Sequence, residues 1–509
     1  MEKNPMKEIT RINLSGWKNA CAVFLFCALA AIGSSAQTFK TLVNFNGSNG
    51  TGASAPIQAF DGNYYGTTGG GGANCPQGSR CGTIYRLSAG KMTTVYTFCL
   101  QSGCLDGSGP GGLVQGADGN LYGETFGGGA NGAGTFFRMS LSGKVTTISS
   151  FCAPSSCGYG ASPSLSVQGP DGSFYGVTEL GGAHGYGSIA RLSLSGKLTT
   201  LHSFNLIDGA APLGGLIQGA NGSLYGTTSD GGNLNCNWGY NFWGGCGTIF
   251  ELTPKGSFTT LYSFCPSFCK DGAAPQGNIV EDAGGNLYGT TFYGGFGYSE
   301  SQCDPVGCGT VFKLNAQGQL SPLYTFCTQN DGMCTDGFWP GGGLTLGSDG
   351  NLYGSATEGG LWVGNCSFAC GTLFSVTPDG AFSVLHAFDD TDGAYPYFAP
   401  TQATNGLFVG ESSQGGPDNY GTLFSLSTNL PAFVETNPSS GKVGKTVVIM
   451  GNNLKGSTAV KFNGSAAQFR VAANSAIVAT VPTGATSGSV SVTTPNGTLT
   501  SNVAFTVRP

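Results

Sequence analysis

Glu124 and Glu411 hold the same place in a recurring motif, just after its glycine, where the other copies carry Thr, Val or Ser. Two carboxylates converging on one pocket could act as acid and base, or as acid and nucleophile, on a glycosidic bond. Drift at one position of a degenerate repeat is the plainer explanation. The chain has 3 histidines. His184 lies in a Gly-rich loop and could donate or accept a proton, although a solvent-facing role is simpler. His202 and His386 replace Tyr in a recurring L-Y-S-F-like strand and read as packing residues. No residue is therefore assigned to catalysis.

Cysteines give the second pattern. Of the 18, Cys21 and Cys27 lie in the N-terminal apolar stretch. The rest form eight close pairs: Cys75 with Cys81, Cys99 with Cys104, Cys152 with Cys157, Cys236 with Cys246, Cys265 with Cys269, Cys303 with Cys308, Cys327 with Cys334 and Cys366 with Cys370. An even number in an exported chain reads as disulfides, each closing a short loop. Zinc is the competing reading, but the C-x2-C spacing usual for cysteine-rich zinc sites does not occur.

Acidic and aromatic residues give the third. Asp106, Asp208, Asp271, Asp336 and Asp392 each open a D-G-x-x-P motif. Asp before Gly favours a turn, and Pro fixes the start of the following strand. Calcium could bind individual loops, but no spacing matches a D-x-D-x-D-G loop, and no other cofactor is indicated. Trp238, Tyr240, Trp243, Trp339 and Trp362 fall in the same class of loop as the cysteines. Such rings could stack on sugars or anchor a protein partner, or they could simply cover the Gly-rich loops. These loops are acidic, with Arg80 and Lys270 the basic residues among them, so this face should repel nucleic acid.

The elements that must position these residues are strands. Gly contributes 89 of 509 residues, and charged residues only 9 %, against a usual ~25 %. Aromatics at 11 % and the lack of a G-X-Y period exclude collagen and plain disorder. The Gly strings are turn glycines, since no strand-to-helix context for a phosphate loop exists. A basic segment, an apolar stretch from Ala20 to Ile32 and Ser34-Ser35-Ala36 read as a signal peptide over residues 1–36. No later segment reads as transmembrane. The mature chain is then secreted or periplasmic.

Three motifs recur seven times, with a period of about 50–65 residues. They are an N-L-Y-G-like strand (as at Asn120–Gly123), a G-T-hydrophobic-aromatic strand (as at Gly134) and an L-Y-S-F-like strand (ending at Phe151). One unit reads as four short strands joined by D-G-N and S-G-K turns. Four-stranded units at this period predict β-propeller blades. The array opens on a fourth strand (Lys40–Phe45) and ends on a third (Gly421–Leu426). The first strand should therefore complete the last blade and close a ring of seven. Within a blade, the loops between second and third strands and those leaving the fourth open on one face. All cysteine pairs and all length variation lie there, which marks it as the functional face.

The D-G-N-L-Y-G, G-T-x-F and L-Y-S-F strings resemble the GloVer-type tandem repeats of secreted bacterial proteins, a likeness covering about residues 38–428. It implies export and no particular activity. From Pro431 the cysteines stop, and P-S-S-G-K-V-G-K-T-V-V-I-M-G-N-N-L, V-K-F-N-G, A-T-V-P and G-S-V-S-V-T-T-P-N-G resemble an IPT/TIG domain. That implies an immunoglobulin-like sandwich over residues 431–509, used as a spacer or interaction module. The expected fold is thus all-β: a seven-bladed propeller over residues 37–430, followed by that sandwich. The expected function is non-catalytic binding of an extracellular glycan or cell-surface partner at the stapled face. A propeller polysaccharide lyase or glycosidase, and a self-assembling envelope or matrix protein, are the alternatives.

Overall fold

The computed structural model describes residues 37–75, 80–100, 102–151, 161–236, 243–266, 269–295, 303, 306–328 and 333–508. The proposed signal segment lies outside them. So do Cys152, Cys157, Trp238 and Tyr240. The described chain is all-β. Seven antiparallel sheets follow one another up to residue 427. The second is representative, with strands Ser108–Gln115, Leu121–Gly127, Thr135–Met139 and Val145–Ser150 in that order. The repeat units thus match whole sheets, with strand ends shifted by a few residues. From the fourth sheet on, the first strand shrinks to two residues, as at Ile217–Gln218. Thr38–Asn44 pairs antiparallel with Thr422–Ser427, so the seventh sheet takes its outer strand from the start of the array.

The motifs recur because neighbouring sheets are packed through them. At five junctions the Phe that ends an L-Y-S-F strand meets the Phe of the next sheet's G-T-x-F strand. Phe98 meets Phe137 at 5.1 Å, Phe204 meets Phe250 at 5.3 Å and Phe264 meets Phe312 at 5.3 Å. Phe326 and Phe388 repeat the contact with Phe374 and Phe424. All ten rings are buried. Each such pair adds about 1 kcal/mol beyond its buried area. Glycine in N-L-Y-G follows from the same ring. A Cβ on Gly289 would stand 2.6 Å from Phe312 Cζ. Likewise Gly309, at φ +91°, leaves room for Pro340 of the next D-G-x-x-P motif, whose Cδ lies 2.7 Å from where a Cβ would be.

A second link runs along the inner strands. Gln115 accepts a hydrogen bond from the Phe60 amide of the preceding sheet's D-G-N turn (2.9 Å), and Gln168 from Ala117 (2.8 Å). Glu281 accepts from Ala220 and Gln402 from Ser348. Gln58 of the first sheet accepts from the Thr404 amide of the seventh at 2.9 Å. Two junctions break the series for chemical reasons. Pro170 has no amide hydrogen to offer Gln218, and Leu346 cannot accept one from Ala283.

Past residue 430 two further four-stranded sheets share one core, including Val434, Ile449, Val460, Phe462, Ile477, Val492 and Phe505. This part rests on the D-G-N-turn side of the array. Ser475 Oγ donates to Phe60 O at 2.7 Å, Asn437 Nδ2 to Gln115 O at 3.0 Å, and Asn452 Nδ2 to Thr404 Oγ1 at 2.7 Å.

Candidate functional site

Hairpin alternation sends the cysteine-bearing loops to the side away from those turns. Seven of the predicted pairs are disulfides here: Cys75–Cys81, Cys99–Cys104, Cys236–Cys246, Cys265–Cys269, Cys303–Cys308, Cys327–Cys334 and Cys366–Cys370. The eighth predicted pair, Cys152 with Cys157, is not among them. Both Cys152 and Cys157 lie outside the described residues, so the bond between them stays an expectation from sequence.

The D-G-x-x-P aspartates work within this scaffold. Asp336 accepts the Tyr324 hydroxyl at 2.7 Å and the Cys327 amide at 2.9 Å. Asp106 and Asp271 do the same for Tyr96 and Tyr262. Asp208 and Asp392 take His202 (3.0 Å) and His386 (2.8 Å) instead. Both imidazoles also stack flat on a ring of the adjacent sheet, Phe258 and Phe39 respectively. Burial, then Asp106, raises the Tyr96 hydroxyl to about 12, so it remains a donor.

The loop from Glu358 to Cys370 in the sixth sheet exposes a run of apolar side chains on this side. Leu361, Trp362, Val363 and Phe368 are each about half exposed, and so is nearby Met333. Polar contacts hold the loop in place. Trp362 Nε1 donates to Met333 O at 3.2 Å, Asn365 donates twice to Asp390 Oδ2, and the Ser367 amide donates to the Tyr395 hydroxyl at 3.0 Å. These contacts keep the consecutive apolar side chains Leu361, Trp362 and Val363 partly in water. Burial pushes the Glu358 carboxyl, at the root of this loop, up to about 7.

The other aromatic candidates are placed differently. Trp339 stacks on Phe292 and packs against the cluster containing Cys303, Cys308, Cys327 and Cys334, so it covers disulfides. Trp243 donates its amide to Asp230 at 3.1 Å and meets Tyr186 edge-on. His184 is exposed on its loop.

The two glutamates are not brought together. Glu124 lies between the second and third sheets, lining a cavity of about 20 Å³ with Phe136, Phe151, Leu165 and Ala190. Glu411 accepts the Phe398 amide at 3.2 Å and faces Tyr85, between the seventh and first sheets. The two carboxyls thus line different seams. Each sits where the next sheet lacks the usual Phe, since Ala190 and Tyr85 stand at that position. Both side chains are fully buried, and that burial raises each carboxyl to about 8. Each fills part of its seam.

No group of carboxylates converges at ligand distance among the described residues; the groups that converge are two sets of four cysteines. On the turn side, a cavity of about 930 Å³ opens between the fourth to sixth sheets and the C-terminal part, lined by Glu251, Glu281, Ser440 and Arg508. Neither this cavity nor the Met333/Phe368 contribution is foreshadowed by motif spacing. Trp362 is one of the sequence candidates, whereas its apolar neighbours Leu361 and Val363, in the same Gly-rich loop, carry no motif signal.

The Gloeobacter/Verrucomicrobia repeat matches residues 27–158, 75–302 and 242–469. No curated protein matches the chain. Among solved structures, a fungal alcohol oxidase of the AA5 family in complex with copper is 12 % identical, with a TM-score of 0.49, covering 93 % of this chain and 99 % of that one. A putative gluconolactonase is 13 % identical (TM-score 0.37, 79 % and 96 % covered). A putative 6-phosphogluconolactonase from Bacteroides uniformis is 13 % identical (TM-score 0.39, 66 % and 85 % covered).

Proposed function

This chain belongs to the Gloeobacter/Verrucomicrobia repeat family, and from that premise we propose that it is an exported, non-catalytic protein that binds an extracellular glycan. In this reading the seven sheets are the blades of a propeller closed by Thr38–Asn44. The C-terminal sheets are an immunoglobulin-like domain of the IPT/TIG type, acting as a spacer or docking unit. The disulfides suit an oxidising compartment reached after loss of the signal peptide.

The observation that carries the proposal is the exposed Leu361–Val363 loop, tied down by Cys366–Cys370 and Asp390. An indole fixed at its Nε1 and about half exposed can stack on the C–H side of a sugar ring, and the acidic loops around it favour neutral or cationic polymers over polyanions. Buried, separated Glu124 and Glu411 offer the lyase or glycosidase alternative no assembled site.

The test is polysaccharide-retardation electrophoresis and a glycan array with the oxidised chain and Trp362→Ala. Specific retention that Trp362→Ala abolishes, with the near-UV spectrum unchanged, is the expected result. Retention equal in both proteins moves the site elsewhere. No retention on any glycan overturns the glycan reading in favour of a protein partner or self-assembly.

A further inference from the structure

The disulfides of one sheet are neighbours for a topological reason. One closes the loop leading into the third strand, the other the loop leaving the fourth, and those strands are paired. Thr248 lies opposite Ser263 in the fourth sheet, and Thr310 opposite Thr325 in the fifth. In both sheets the two loops each carry a cysteine pair, and the four sulfurs meet. Cys236, Cys246, Cys265 and Cys269 form one buried group, and Cys303, Cys308, Cys327 and Cys334 the other, with all sulfurs of a group within 4.8 Å of one another. The first sheet has the same four positions in Cys75, Cys81, Cys99 and Cys104, but Cys75 and Cys104 are partly exposed, and these sulfurs do not converge within that distance.

Four thiolates around a tetrahedral zinc-class ion, with bonds of about 2.3 Å, place their sulfurs about 3.8 Å apart. Cys236 Sγ and Cys269 Sγ, which belong to different disulfides, are 3.8 Å apart. Thiolate sets select soft or borderline cations over calcium and magnesium. The C-x9-C and C-x3-C spacings hide this geometry, because each half of the set comes from a different loop.

We propose that these eight cysteines form two convertible centres, paired disulfides when oxidised and, once reduced, two four-thiolate sites for a soft divalent cation of the zinc class. Each disulfide takes two electrons and two protons from a dithiol, which leaves as its own cyclic disulfide. The four thiols of a centre then release four protons as they ligate one cation. The ion holds together the same two loops that the disulfides hold when oxidised.

Cobalt(II) is the probe. The full-length chain is reduced with a dithiol, desalted without oxygen and titrated while thiolate-to-cobalt charge-transfer absorption is followed. Two ions per chain are expected. Cys269→Ser and Cys334→Ser should each remove one, whereas Cys104→Ser should remove none. Absence of the charge-transfer band, uptake unaffected by both of the first two variants, or uptake confined to the urea-unfolded chain would overturn the proposal. If reduction alone abolishes the near-UV signal, its return on adding zinc supports the proposal, and failure to return also overturns it.

Discussion

Glu124 and Ala190 line the same small cavity between the second and third sheets. At this seam Ala190 stands where five of the other sheets carry Phe, and the carboxyl of Glu124 occupies the neighbourhood. Burial raises that carboxyl to about 8 from an ordinary 4.5, and Glu411 shifts likewise beside Tyr85. Between those pH values the unfolded chain has lost a proton that the folded chain keeps. Stability therefore falls as pH rises from 4.5 towards 8 and levels off above it, by up to about 1.4 kcal/mol per pH unit for each group. Glu124→Gln should flatten this slope. Urea midpoints of the two proteins across that range are the check, and parallel curves would refute the assignment.

Gln58→Leu removes the acceptor for both the amide and hydroxyl of Thr404, groups 346 residues away in sequence. A loss of about 1–3 kcal/mol is expected, since the donors are left in a part-buried junction. The reverse change, Leu346→Gln, supplies an acceptor for the Ala283 amide and should add about 0.5–1.5 kcal/mol. Thermal unfolding of both variants measures the pair.

His386 can be exchanged for the residue its counterparts use. His386→Tyr keeps a donor for Asp392 and a ring for Phe39, so stability should hold within about 0.5 kcal/mol. His386→Phe keeps only the ring and should cost about 1–3 kcal/mol, because Asp392 Oδ2 loses its partner while Oδ1 keeps the Asp389 amide. Denaturant midpoints would separate the two outcomes, and equal losses would mean the ring contact alone matters.

Opening Cys366–Cys370 with paired Ser substitutions should lower stability by about 2 kcal/mol, as expected for so short a loop. The larger effect should fall on order, with faster amide exchange at Trp362 and Val363 while the strand Thr372–Val376 remains protected. Exchange measured by mass spectrometry tests this, and unchanged rates at Trp362 would show that Asp390 and Tyr395 suffice to hold the loop.

Strand order was legible in the sequence because Gly, Phe and Pro recur at positions where sheets touch, and Gly309, Phe312 and Pro340 need one another sterically. The complementary offset of the array was legible for the same reason. Contacts between residues distant in sequence were not. Motif spacing places Asp336 in a turn but does not reveal the Tyr324 hydroxyl it accepts. It puts Glu124 and Glu411 in register without showing that they lie at different seams. It separates Cys236 from Cys269 by 33 residues, although their sulfurs are adjacent. Trp362 stood out as an aromatic loop residue, but so did Trp339, which is packed over disulfides, and the exposure of Leu361 beside Trp362 had no motif signal.

The strand Thr38–Asn44 has its partner at Thr422–Ser427, so the stretch that emerges early from the ribosome is seated only after nearly all the sheets have been made. Until then the seventh sheet lacks its outer edge, and no local contact replaces it. Closing so long a loop is slow and entropically costly. Docking of Thr38–Asn44 should therefore come late in the assembly of the seven sheets. During that interval the unfinished edge is the point where a second copy could insert its own leading strand.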